Sequence, residues 1–81
     1  MYRVLLADDE GIVIDSMKYI IEKEFGNTCE IAFAKTGRSV IELAETFRPD
    51  IAVMDIQMPG INGIEAMKEI RKTNGSVIFI V

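Results

Sequence analysis

The 81 residues contain no histidine. Catalysis of the Ser-His-Asp or Cys-His type, which needs an imidazole base, is therefore excluded, and the absence argues against a zinc centre. Cysteine is nearly absent too. Cys29 alone cannot form an internal disulfide, which points to a reducing compartment, and its expected role is a packing position in a strand. Excess basic charge is missing: 9 Lys and Arg stand against 13 Asp and Glu, a net charge of -4. This segment is not expected to grip nucleic acid, which usually calls for a basic patch. There is no apolar run long enough to span a bilayer, and Met1-Tyr2-Arg3-Val4 leads straight into a strand pattern without signal-peptide architecture. A cytoplasmic location with no membrane contact is expected. Repeats, low-complexity tracts, linkers and internal domain boundaries are also lacking.

What remains is apolar and periodic. At 49% apolar residues the chain is globular, and at this length it can form one domain with a marginal core. Tyr2 to Ala7 reads as a strand, and Gly11 to Phe25 as a helix with Val13, Met17, Ile20, Ile21 and Phe25 on its apolar face. Gly26-Asn27 should stop that helix. Thr28 to Ala34 is the second strand. A helix opening at Thr36-Gly37 carries Val40, Leu43, Ala44 and Phe47 at i, i+3, i+4 and i+7, and Pro49 forbids its continuation. Asp50 to Asp55 is a third strand, followed by a loop over Ile56 to Ile61. Asn62 and Glu65 then form a capping box for a helix to about Thr73, with Ile64, Met67 and Ile70 as its stripe. Asn74-Gly75 ends it, and Ser76 to Val81 begins a fourth strand. This β-α-β-α-β-α-β order implies a parallel sheet with right-handed crossovers.

Two of these strands end in acid: Val4-Leu5-Leu6-Ala7 runs into Asp8-Asp9-Glu10, and Ile51 to Met54 runs into Asp55. Parallel sheets bind ligands at the carboxyl ends of their strands. If the first and third strands are neighbours, their ends lie about 4.8 Å apart, and Asp8, Asp9 and Asp55 can converge. Like charges so close repel unless a cation offsets them. Oxygen ligands without His or Cys favour a hard cation, Mg²⁺ above all. Beside that cation Asp55 is a candidate phosphoryl-accepting nucleophile. The plainer readings are that Asp55 merely opens a turn, and that Asp9 or Glu10 complements the positive N-terminus of the following helix. For Glu10 the plainer reading is preferred.

Taken together, Val4 to Glu10, Ala34-Lys35-Thr36-Gly37, Pro49-Asp50-Ile51 with Met54-Asp55, and Met58-Pro59-Gly60-Ile61-Asn62-Gly63 resemble the receiver domain of bacterial two-component response regulators. The resemblance covers the whole chain. It implies a flavodoxin-like, three-layer α/β/α parallel sheet of order 2-1-3-4-5, cut after the fourth strand, so that the fifth strand and last helices are not present. It also implies that Asp55 is the phosphoacceptor, that Asp9 binds Mg²⁺ directly and Asp8 often through water, and that the main-chain carbonyl of Gln57 completes the metal site. Pro59 and Gly63 would shape the loop and the next helix. A sensor histidine kinase is the implied phosphoryl donor, with a regulated output that is transcriptional. The opening and the Asp55 to Gly63 segment look most like regulators with an AraC-type DNA-binding output, in which DNA would be bound by a domain outside these residues.

The family's Ser or Thr after the fourth strand and Lys after the fifth are not found here, and Lys35 and Lys72 are not expected at the acidic site in their place. The apolar run Val77-Ile78-Phe79-Ile80-Val81 would be a bare sheet edge, so self-association through the fourth strand is expected. Two other functional classes compete with this reading. A Mg²⁺-dependent phosphatase resembling haloacid dehalogenases would need an acid two residues after the nucleophile, where Gln57 stands. An interaction module working without phosphorylation would keep the fold and use only its surface.

Overall fold

A computed structural model describes residues 1–58 and 60–81. The expectation for Pro59 lies outside the described residues. The elements run β1 (Tyr2–Ala7), α1 (Gly11–Phe25), a 3-10 turn (Gly26–Thr28), β2 (Cys29–Ala34), α2 (Gly37–Phe47), β3 (Ile51–Met54), α3 (Gly63–Thr73) and β4 (Ile78–Ile80). All strand pairs are parallel, and the sheet order is β2-β1-β3-β4. This is the flavodoxin-like order expected from the sequence.

Alternation along β1 builds the three layers. Leu5 and Ala7 face α2 and α3, in a cluster with Val40, Ala44, Ala52, Met54, Ala66 and Ile70. Val4 and Leu6 face the other way, against Ile14 of α1 with Met17, Ile21 and Val53 around them. A central parallel strand buried on both faces should be apolar at every position, and Val4 to Ala7 is.

Three expected strands are shorter in the structure, for identifiable reasons. Thr28 belongs to the 3-10 turn, where its hydroxyl donates to the Phe25 carbonyl at 2.7 Å. Asp50 leaves the strand pattern because its carboxylate caps the Arg3 N–H at 2.8 Å, although its own N–H still donates to the Arg3 carbonyl. The fourth strand is three residues long, because the Asn74 side chain accepts from the Ser76 N–H and hydroxyl and holds that segment in a turn. Asn74 is itself buried and donates to the Pro49 carbonyl at 3.4 Å.

The helix faces differ in detail from the sequence expectation. On α1, Ile14 is the buried residue, while Ile20 and Phe25 are each 58% exposed. On α3, Ala66 and Ile70 are buried and Ile64 turns outward. The caps are as expected: Thr36 accepts from the Ser39 N–H at 3.1 Å, and Asn62 accepts from the Glu65 N–H at 3.0 Å. Gly26 ends α1 with φ 58°, the conformation that favours glycine there. At the far end of α3, the Arg71 guanidinium donates to the Gly75 and Val77 carbonyls and lies 4.8 Å over the Phe79 ring, tying the helix to β4.

Candidate acidic site at the strand ends

The register of the sheet carries the acidic residues to one place. Ala7 pairs with Met54, so the residues that follow, Asp8 and Asp55, leave adjacent strands side by side. The ladder continues one step further: the Asp55 N–H donates to the Ala7 carbonyl at 2.8 Å, and the Asp8 N–H to the Ala34 carbonyl at 3.1 Å. Both backbones are thereby fixed at the point where their side chains enter solvent.

Asp8, Asp9 and Asp55 each offer a carboxylate oxygen, and these oxygens lie within 4.8 Å of one another. Asp8 and Asp55 are half-buried and Asp9 is exposed. Asp8 Oδ1 accepts from the Glu10 N–H at 2.9 Å, and Asp55 Oδ1 from the Gln57 N–H at 3.1 Å. The turn role is thus real, but it uses one oxygen of each carboxylate. The donor set is hard, oxygen-only and multiply negative, which fits Mg²⁺ and suits neither zinc nor copper. Gln57 borders the same open cleft as Asp8 and Asp55, together with Met17, Val53 and Val81.

Behind Asp55 the loop is braced by backbone. The Gly63 N–H donates to the Ile56 carbonyl at 2.8 Å, and a Cβ on Gly63 would stand 2.7 Å from Ile56 Cα and 2.8 Å from the Asp55 carbonyl oxygen. No side chain fits there. The start of α3 therefore presses directly on the chain that carries Asp55, as expected for Gly63.

Glu10 takes the N-cap position of α1 without a side-chain cap bond; its carbonyl accepts from the Val13 and Ile14 N–H groups. Lys72 pairs with Glu69 in the last turn of α3, at the end remote from the acids. Lys35 departs from expectation. It follows β2 directly, next to the residue whose carbonyl holds Asp8, and its ammonium reaches the start of α1. The signal was the strand boundary itself: with β2 ending at Ala34 beside β1, residue 35 must emerge at the acidic end of the sheet.

Comparison with known proteins decides the family. Residues 4–81 match the response regulator receiver domain. The chain belongs to the receiver family. This receiver is 41% identical over 81 residues to the uncharacterized transcriptional regulatory protein YesN of Bacillus subtilis, covering all of this chain and 22% of that protein. It is 41% identical over 80 residues to the chemotaxis protein CheY of Thermotoga maritima, covering 98% of this chain and 64% of CheY. Among solved structures, the response regulator domain of Thermotoga maritima CheB superposes with a TM-score of 0.86 at 38% identity, over 98% of this chain and 59% of that one. A complex of the histidine kinase ThkA with the response regulator TrrA contains a match with TM-score 0.84 at 32% identity, over 98% of this chain and 66% of the other. The receiver thus spans about a fifth of YesN and under two thirds of CheY. No helix among the described residues is long and apolar enough to cross a membrane.

Proposed function

We propose that this receiver accepts a phosphoryl group on the Asp55 carboxylate from a phosphohistidine of a sensor kinase. The phosphorus–nitrogen bond breaks as a carboxylate oxygen bonds to phosphorus. An acyl phosphate forms on Asp55, and the leaving imidazole keeps the electron pair and takes a proton from solvent. The observation that carries this reading is the convergence of three carboxylates within 4.8 Å at the ends of neighbouring strands. Mg²⁺ bound by Asp8, Asp9, Asp55 and the main-chain carbonyl of Gln57 would supply positive charge to the phosphoryl oxygens. Asp55 provides the nucleophile, held in place by the Ala7 carbonyl and the Gly63 brace. The domain modifies itself and is not a turnover enzyme; an acid at the position of Gln57, as a phosphatase of this kind would use, is lacking.

The kinase partner is supported by the similarity to a chain in the crystal structure of the histidine kinase ThkA in complex with the response regulator protein TrrA. A transcriptional output is supported by relatives named as transcriptional regulatory proteins. We place that output, of AraC type and DNA-binding, outside these residues. We read residues 1–81 as one receiver domain comprising its first four strands, acting in the cytoplasm. Self-association through β4 is the second reading, favoured by Ile78 and Ile80 at 60% and 51% exposure on the edge strand.

Intact mass after incubation with Mg²⁺ and acetyl phosphate tests the first reading. One added phosphoryl group in the 81-residue chain, absent from Asp55→Ala, is expected. A folded, Mg²⁺-binding chain that gains no mass would overturn phosphoacceptance by these residues.

A further inference from the structure

Lys35 is a cation that the fold brings to the acidic end of the sheet, directly after β2. Its Nζ lies 3.3 Å from where a Cβ on Gly11 would stand, so the absent side chain of Gly11 makes the space the ammonium occupies. That place is electrostatically odd. Gly11 is the first residue of α1, where unpaired N–H groups and the helix dipole repel a cation. The neighbouring Asp8, Asp9 and Glu10 outweigh the repulsion, because full negative charges exceed the partial positive charge of a helix end. Yet the ion pairs within 4.0 Å among the described residues are Arg3 with Glu30 and Lys72 with Glu69. Any influence of Lys35 on the acids is therefore exerted through its field, without a direct pair.

We infer that Lys35 is a positioning residue of the acidic site: a tethered cation at its mouth that weakens divalent-cation binding and favours approach of a dianionic phosphodonor. This rests on the reading of Asp8, Asp9 and Asp55 given above. The three carboxylates with a divalent ion keep one net negative charge, which repels a donor such as acetyl phosphate; the Lys35 ammonium cancels it. The same ammonium repels Mg²⁺. One charge thus has opposite effects on the two ligands, which a merely structural lysine would not show. For charges one screening length apart in water, about 8 Å at physiological salt, each unit of charge removed should change Mg²⁺ affinity by about two- to fivefold.

The test is a Mg²⁺ titration of the 81-residue chain, followed by NMR of the backbone amides of residues 8–11 and 55–57, for wild type, Lys35→Arg, Lys35→Ala and Lys35→Glu. Affinity should rise in the order Lys and Arg alike, then Ala, then Glu. The differences should collapse in about 1 M salt, where the screening length is about 3 Å. Initial rates of mass gain from acetyl phosphate at saturating Mg²⁺ should follow the reverse order. Equal Mg²⁺ affinities across the series at low salt, or an Arg variant shifted as far as the Ala variant, would overturn the inference. A wild-type chain that binds no Mg²⁺, or binds it equally well as Asp9→Ala, would overturn the site reading and this inference together. Asp9-dependent binding with a flat Lys35 series would overturn this inference alone.

Discussion

Asp55 is a turn aspartate that stands beside two other carboxylates. Oδ1 holds the Gln57 N–H, as any Asp opening a turn would. A carboxylate oxygen of Asp55 also lies within 4.8 Å of oxygens of Asp8 and Asp9, and this proximity is the part a turn does not require. Asp9 is exposed and makes no side-chain hydrogen bond among the described residues, so it contributes little to folding. Asp9→Ala is therefore expected to lower Mg²⁺ affinity by about tenfold or more while changing the stability read from urea denaturation by no more than about 0.5 kcal/mol. Gly63 is the opposite case. A methyl group there collides with backbone at Ile56 and Asp55, which cannot swing aside as a side-chain end could. Gly63→Ala should cost about 1–3 kcal/mol in urea denaturation, and because the displaced backbone carries the acceptor, it should also slow phosphoryl gain in the protein that remains folded.

Helix ends were legible in the sequence and helix faces only in part, for a physical reason. A cap is a local hydrogen bond between residues three apart, so Asn62 and Glu65 announce it wherever the helix packs. Asn62→Ala should therefore cost about 1 kcal/mol, read from the thermal or urea transition. A face is defined by what lies opposite. α1 offers Val13, Ile14, Met17, Ile20, Ile21 and Phe25, more apolar positions than one stripe needs, and only the placement of the sheet, with residues of β1, β2 and β3 opposite, selects Ile14, Met17 and Ile21. Strand ends were misjudged because side chains bind backbone there, which periodicity does not reveal: Thr28 and Asn74 over two or three residues, and Asp50 across the sheet to Arg3. Arg48 was not foreseen either. It closes α2 at φ 52° and ψ 67°, a left-handed conformation unfavourable for a residue with a side chain. Arg48 is exposed, so Arg48→Gly loses little packing. It should leave stability unchanged or raise it by up to about 1 kcal/mol; a loss exceeding 1 kcal/mol in urea would show that the guanidinium has a structural role.

At the scale of the molecule, the two faces of the sheet are unequally covered. α2 and α3 lie over one face, and the cluster there includes residues from every strand except β4, with Phe79 packed at its margin. Among the described residues, only α1 lies over the other. Beside it, Tyr2, Val4, Ile21, Phe25, Ile51, Val53 and Ile80 line an apolar cleft of about 360 Å³. An apolar cleft that runs to a sheet edge joins two sources of attraction: unpaired strand hydrogen-bonding groups and surface that gains by leaving water. β4 has no charged residue, bulge or proline to blunt that edge. The apolar run Val77 to Val81 was legible in the sequence; the position of the cleft beside it required the sheet order. Self-association of the 81-residue chain should accordingly depend on concentration and on this face. Sedimentation across a range of concentrations is expected to show dimers or larger species for wild type. Ile80→Lys, which puts a charge on an exposed position of both the edge and the cleft, should shift the distribution to monomer without loss of helical content. Ile64→Lys serves as the control, since Ile64 is 46% exposed on α3, away from β4. If wild type sediments as a monomer at every concentration, the edge does not recruit a second copy. If Ile64→Lys dissociates the assembly as fully as Ile80→Lys does, association runs through general hydrophobicity and not through this strand.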